Sequence, residues 1–493
     1  MTIDILPDVA LLEIFDFYLV DSDDWHDWFA EDKLKAWYAL VRVCRKWRST
    51  VFGSPLRLNL RLFCKPDRTP VKETMVAWPE LPIIVSSNCD YIRDNQKWVD
   101  NIVAVFKHSD RICRLHLLET GNWRTKMVFA AMQQPFPALT HLSLHLKYEL
   151  VVPDSFLGGS APQLQFLSLT LIPFPGVPKI LLSATRLVCL LLREIPHSGY
   201  ISPETMVASL SVLTRLEEFT IGFKSPQSRP DPRSRRPPPL TRNLLPVLNK
   251  LYFYGASEYL EDLVARIDAP LLNFLRTTFF HQLTFDTPQL TQFICRCTPK
   301  FKTLIEARLD FNDYFGKPNV ALFSEKPVEW LIFGVSCDQS DWQLSFMTQM
   351  CSSSFPQGLI SMVENLCIKE SNPAAWQDDI EGGQWLEVLQ PFTAVKDLYV
   401  SKDLMPRIAP ALQELIGEKA TEVLPALQTL FLGDISLSGP VQDAIDQFVA
   451  ARQLAGHTVA VSRGRYEDDS ESDESSNERD DGEVESSYET DDG

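Results

Sequence analysis

The chain of 493 residues is 45% hydrophobic and 23% charged, with a formal net charge of −18 at pH 7. That balance excludes wholesale disorder, and the length excludes one compact core, leaving several domains or one elongated array. Residues 467–493 hold 14 acidic residues and one arginine, a net of −13, so only −5 remains for everything else and the acidity belongs to a tail.

The ten cysteines are scattered, with only Cys295 and Cys297 close together. No C-x-x-C pair starts a zinc site, no Asn-x-Ser/Thr sequon occurs, and no apolar run approaches a membrane span. Met1-Thr2-Ile3-Asp4 lacks a charged n-region followed by an apolar stretch. The expectation is a cytoplasmic or nuclear protein with reduced thiols, no metal, no cofactor, no membrane contact and no nucleic-acid partner.

At the start of the chain, Pro7 suits a first helical turn. Leu11, Leu12, Phe15 and Leu19 follow at three- and four-residue steps, which predicts a helix over 7–19. A second helix is predicted over 35–52, carrying Tyr38, Val41, Trp47 and Val51 and stopped by Gly53-Ser54-Pro55. Some fifty residues in two or three helices bury too little apolar surface alone. Part of the stripe is therefore expected under a partner or the following domain.

The split signature here is Leu6-Pro7, Ile14-Phe15 and Leu19, then Trp37, Leu40 and Val43-Cys44-Arg45-Lys46-Trp47-Arg48. It resembles an F-box, with an acidic, tryptophan-bearing insertion over 21–35. The resemblance implies docking on a Skp-type adaptor, and through it on a cullin. The adaptor-facing residues it implies are Leu6, Pro7, Ile14, Phe15, Leu40, Val43, Cys44 and Trp47.

From about residue 78 a six-residue pattern recurs: an aliphatic residue, two variable ones, an apolar one, one variable, another apolar one. It occurs ten times, from Ile112/Leu115/Leu117 and Leu139/Leu142/Leu144 to Val395/Leu398/Val400 and Leu427/Leu430/Leu432. The leading positions recur at spacings of 27, 25, 23, 29 and 32 residues and then irregularly, which points to a solenoid in which each unit supplies a short strand and a return segment. A helical solenoid would also give leucine periods but would lack the extended motif with frequent Tyr, Phe and Val. Return helices are predicted over 259–267 and 404–416, one degenerate unit over 301–309, a closing helix over 440–454 and a last strand over 458–462. The array resembles the leucine-rich-repeat class of F-box proteins. Its irregular periods, without an asparagine after each strand, resemble the large fungal F-box families.

The predicted fold class is α/β: a small helical F-box-like module over 1–60, then a leucine-rich-repeat solenoid over 61–465 with parallel strands and mostly helical returns, then a disordered acidic tail over 466–493. Residues 224–242 interrupt the array with prolines and basic residues and almost nothing apolar, predicting an exposed loop of polyproline character. In the tail, Ser470, Ser475 and Ser486 each precede an acidic residue by three positions, an acidophilic-kinase context.

No phosphate-binding loop, nucleophile elbow or His-Glu-x-x-His occurs, so nothing in the sequence supports an enzyme and no catalytic residue is assigned. His141 and His145 on one strand would stand ~13 Å apart, too far to share a metal. Recognition suits a solenoid better. Residues flanking the second apolar position of each strand point away from the core, onto an open face carrying Arg114, His116, His141, His145, Phe166, Arg193, Lys250, Lys369, Tyr399 and Phe431. Its central residues Tyr252, Tyr254, Phe274, Arg276 and Trp330 are the predicted target-binding set. Two functions follow: a substrate receptor of a Skp-cullin-F-box type ubiquitin ligase that binds a protein target, or a repeat scaffold for protein interaction without a ligase role.

Overall fold

The computed structural model describes residues 6–19, 31–66, 71–88, 96–119, 122–146, 151–173, 175–231, 241–280, 287–301, 304–311, 317–324, 330–336, 340–370, 382–433 and 439–463. The expectations for the acidic tail and for 232–240 of the basic loop lie outside them.

Helix α1 is Asp8–Tyr18. Pro7 is its extended N-cap rather than a first-turn residue, and its carbonyl accepts from the N–H groups of Ala10 and Leu11. The single helix predicted over 35–52 is two helices, α2 Glu31–Val43 and α3 Arg45–Gly53. Cys44 separates them. Its backbone is extended (φ −156°, ψ 173°) and its sulfur accepts from the Trp47 N–H at 3.4 Å, a cap that apolar periodicity does not reveal.

The module's interior holds Leu11, Phe15, Trp37, Leu40, Val41 and Val51, and it is continuous with the core of the array. Trp37 Nε1 donates to the Arg61 carbonyl at 2.8 Å, and the Phe63 N–H donates to the Tyr38 hydroxyl at 3.3 Å. Trp78 stacks on Tyr38 at 5.0 Å with planes 7° apart. The helices thus cover the first edge of the sheet, where backbone groups would otherwise be open to pairing with another chain.

The strands are β1 Leu62–Cys64, β2 Ile83–Asn88, β3 Ile112–Glu119, β4 His141–Leu146, β5 Phe166–Thr170, β6 Cys189–Ile195, β7 Glu218–Phe223, β8 Asn243–Leu244, β9 Lys250–Gly255, β10 Ile267–Asp268, β11 Phe274–Phe280, β12 Leu304–Phe311, β13 Pro318–Ser324, β14 Trp330–Ser336, β15 Asn365–Lys369, β16 Asp397–Val400, β17 Thr429–Leu432 and β18 Ala460–Arg463. Among the described residues one 16-stranded sheet has the order β1-β2-β3-β4-β5-β6-β7-β9-β11-β14-β13-β12-β15-β16-β17-β18, and β8 pairs with β10 separately. In the predicted units whose leading aliphatic residue is described, that residue is buried at or just before the strand, and the next two apolar residues point inward. Leu139, Leu142 and Leu144 are all under 3% exposed. Helices such as Gln96–Phe106, Ser257–Val264 and Met405–Gln413 return the chain behind the sheet, the last two shorter than predicted. The closing helix is Pro440–Leu454, followed by Gly456 at φ 85°, a left-handed position suited to glycine.

Two departures from the predicted array matter. The region expected to hold one degenerate unit is instead a reversal: β12 pairs antiparallel with β13, and β13 antiparallel with β14. The strand at Trp330–Ser336 therefore lies beside β11, and β12 lies beside β15, so chain order and spatial order part company. The physical signal is alternation. Val320 and Leu322 face the core while Ala321 and Phe323 lie on the open face, a period of two that a six-residue repeat template passes over. The second departure is the start of the basic loop. Lys224, Pro226, Gln227, Arg229 and Asp231 are exposed as expected, but Ser228 is fully buried, with its hydroxyl 3.4 Å from His197 Nδ1 and its N–H on the Ser225 carbonyl at 3.0 Å.

Where a regular array would carry turn asparagines, some turns here use other residues at positive φ. Leu171 (φ 61°) follows β5, and Glu194 (φ 50°) sits within β6 where its register with β7 shifts.

Candidate protein-recognition surface

Parallel registry lines up the outward residues of neighbouring strands. Lys250, Phe274 and Trp330 are mutual partners across β9, β11 and β14, and Phe323 of β13 continues the row opposite Trp330. The next row places Tyr252 against Arg276, and beyond it Tyr254 against Thr278. Strands ~4.8 Å apart bring such side chains into contact along the row. Tyr252 and Phe274 have ring centroids 4.9 Å apart, Phe274 and Trp330 6.1 Å, and Trp330 and Phe323 4.9 Å with planes at 81°. Each such pair adds about 0.5–1.5 kcal/mol beyond its buried area, which fixes the rings as one rigid ladder.

Cations frame the ladder. The Arg308 guanidinium lies over Phe323 at 5.2 Å, the Lys317 ammonium over Tyr254 at 4.5 Å, and Lys250 is 4.0 Å from the Glu218 carboxylate. Burial, and next the Glu218 charge, raises the Tyr252 phenol above its ordinary pKa, so the hydroxyl stays protonated at the rim of the ladder. Tyr252, Tyr254, Phe274, Arg276 and Trp330 are each half-buried: held by neighbours, with ring surface still open. The structure brings all five together. Phe323, Arg308 and Lys317 join them through the antiparallel reversal and were missed by the repeat template.

Other expected open-face residues are covered. Phe166 and His141 are 5% and 9% exposed, with their rings stacked at 6.0 Å. Phe166, Cys189 and Leu191 form a small apolar cluster of their own on this side of the sheet. Burial, and after it the Arg114 charge, holds His141 down to about 3. This corrects the expectation that Phe166 and His141 are available to a partner. Far from the ladder, Tyr399 and Phe431 stack at 4.2 Å with planes 6° apart.

The eight residues expected to face an adaptor divide by exposure. Pro7, Ile14 and Val43 are exposed; Leu6, Cys44 and Trp47 are half-buried. Phe15 and Leu40 are 0% and 6% exposed, which corrects the expectation for these two, whose side chains pack inside the module. Trp47 packs on Phe15 at 4.8 Å, and Lys46 Nζ donates to the Leu6 carbonyl at 2.8 Å. Val9 (65% exposed) and Phe17 (87%) add apolar surface that the motif did not mark.

Among the described residues no group of three or more His, Cys, Asp or Glu could hold a metal, and no helix is long and apolar enough to cross a membrane. The sheet, parallel except around β13, and its returning helices form a mixed α/β solenoid resembling the leucine-rich-repeat type. No protein-family profile and no curated protein matches the chain. Among solved structures, the chain is similar to the leucine-rich repeat-containing protein LegL7 from Legionella pneumophila. The two share 13% identity over 68% of this chain and 96% of that one, with a TM-score of 0.27.

Proposed function

We propose that the chain is a substrate-recognition subunit of a Skp-cullin-F-box type ubiquitin ligase. Its N-terminal helices take the adaptor and its aromatic ladder takes a protein target. The observation that carries the reading is the two-sided use of the N-terminal module: its helices bury one side against each other and against the first strand, yet leave Pro7, Val9, Ile14, Phe17 and Val43 in solvent. Apolar surface left on a module already covered by its own chain suits a second protein. Pro7, Ile14 and Val43 also stand at motif positions of the F-box resemblance. On this reading the two surfaces act independently, and the chain supplies proximity rather than chemistry.

The test is copurification of the full chain with a Skp-type adaptor and cullin. The expected result is a stoichiometric complex that is lost on Ile14→Asp/Val43→Asp. Recovery of the chain without adaptor, with targets still bound, would support the second reading, a repeat scaffold without a ligase role.

A further inference from the structure

We propose that the basic, aromatic centre of the open face holds the chain's own acidic C-terminal segment, residues 467–493, so that this segment and an external target compete for one surface. Three observations support it. The first is charge complementarity: Lys250, Arg276, Arg308 and Lys317 lie on or beside the ladder and outnumber the carboxylates Glu218 and Glu306 that share its rows, while the 467–493 segment has 14 acidic residues and one arginine. The second is origin and reach. The last described strand, β18, lies in the same sheet, seven positions from β11. At ~4.8 Å per strand that is about 35 Å, a distance about ten extended residues can span. The third is composition: Val484 and Tyr488 within the segment, with Tyr466 just before it, supply apolar and aromatic groups that rigid rings recognise.

A tethered ligand works at an effective concentration of about a millimolar, so weak contacts suffice to keep it on the surface much of the time. Electrostatic attachment of this kind weakens as salt shortens the Debye length. The inference concerns the same face as the proposed target site, but it needs neither target nor adaptor, so its test contains neither.

Arg479 is the one trypsin site within 467–493. The experiment follows the initial rate of release of residues 480–493 from the intact full-length chain by mass spectrometry, relative to a synthetic peptide of residues 467–493, at about 50 and 500 mM salt. The expected result is cleavage at least about five-fold slower in the chain than in the peptide at low salt. High salt should remove that protection, as should Arg276→Ala/Arg308→Ala, while Arg276→Lys/Arg308→Lys should retain it. Melting temperatures of each variant show whether the sheet is intact; if the alanine variant melts early, the salt response and the lysine variant decide. Cleavage of the wild-type chain at the peptide's rate overturns the proposal. So does protection that survives the alanine pair, or protection lost on Arg233→Ala/Arg235→Ala/Arg236→Ala, which would put the segment on the basic loop instead.

Discussion

Phe274 and Trp330 sit side by side on neighbouring parallel strands, rings 6.1 Å apart and planes 25° from parallel, although β12 and β13 lie between them in the chain. Their adjacency depends on the antiparallel reversal that returns β14 to the edge of β11. It is this pairing that turns scattered aromatics into a ladder.

The ladder should therefore carry target binding as a unit. Tyr252→Ala/Trp330→Ala is expected to reduce target recovery by at least about ten-fold, since central aromatic anchors commonly contribute 2 kcal/mol or more. Adaptor recovery and melting temperature should change little, because both rings are half-exposed. Quantitative mass spectrometry of proteins bound to the two chains is the measurement; equal recovery of the same targets would remove the ladder from consideration.

Exposure separates docking from packing at the N-terminus. Ile14→Asp and Val43→Asp should abolish adaptor binding with the fold intact, since these side chains are 43% and 57% exposed. Phe15→Ala should instead destabilise the chain by about 3–5 kcal/mol, the usual cost of deleting a buried ring. Denaturant melts alongside adaptor pulldown distinguish the two effects, and a large stability loss from Val43→Asp would contradict the assignment.

Arg452 is fully buried and donates through Nη2 to the carbonyls of Val423 (2.7 Å) and Leu424 (2.8 Å), the latter residue at φ 52°. Burial lowers its pKa. Arg452→Met keeps an unbranched apolar stem but strands two carbonyls, so a loss of about 2–4 kcal/mol is expected. The midpoint of urea unfolding should fall with an unchanged m-value; a neutral result would mean that the carbonyls find other donors.

His141 gives the chain an acid-sensitive element. Its folded pKa of about 3 lies below the ordinary value of 6.5, chiefly through burial, so between those values the unfolded chain binds a proton that the folded chain does not. The stabilisation from neutral His141 is complete above pH ~6.5 and is lost as pH falls toward 3, with a slope of at most about 1.4 kcal/mol per pH unit. His141→Asn should flatten stability between pH 7 and 4.5. An unchanged slope in urea melts across that range would show that other groups set the acid response.

Glu194, exposed and at φ 50°, occupies a conformation that costs an L-residue roughly 1–2 kcal/mol. Glu194→Gly should raise the melting temperature by relieving it, net of glycine's greater unfolded-state entropy. A lower melting temperature would mean that the Glu194 side chain contributes more than its backbone costs.

The chain's repeat chemistry was legible because it depends on nearest neighbours. Leu142 and Leu144, or Leu398 and Val400, must both face inward on any strand, and Pro440 with Gly456 bracket a helix by local backbone geometry alone. The same locality explains the failures. Cys44 splits one predicted helix through a side-chain cap, and Phe15 and Leu40 have the residue types of a docking surface but are claimed by their own module. Composition and spacing established an array with an open face, and the candidate residues Tyr252, Tyr254, Phe274, Arg276 and Trp330 came from that alternation. Only the tertiary structure decided that β14 pairs with β11, that Phe323 and Arg308 complete the ladder, and that Phe166 and His141 are closed off, because strand order and burial depend on which distant segments meet.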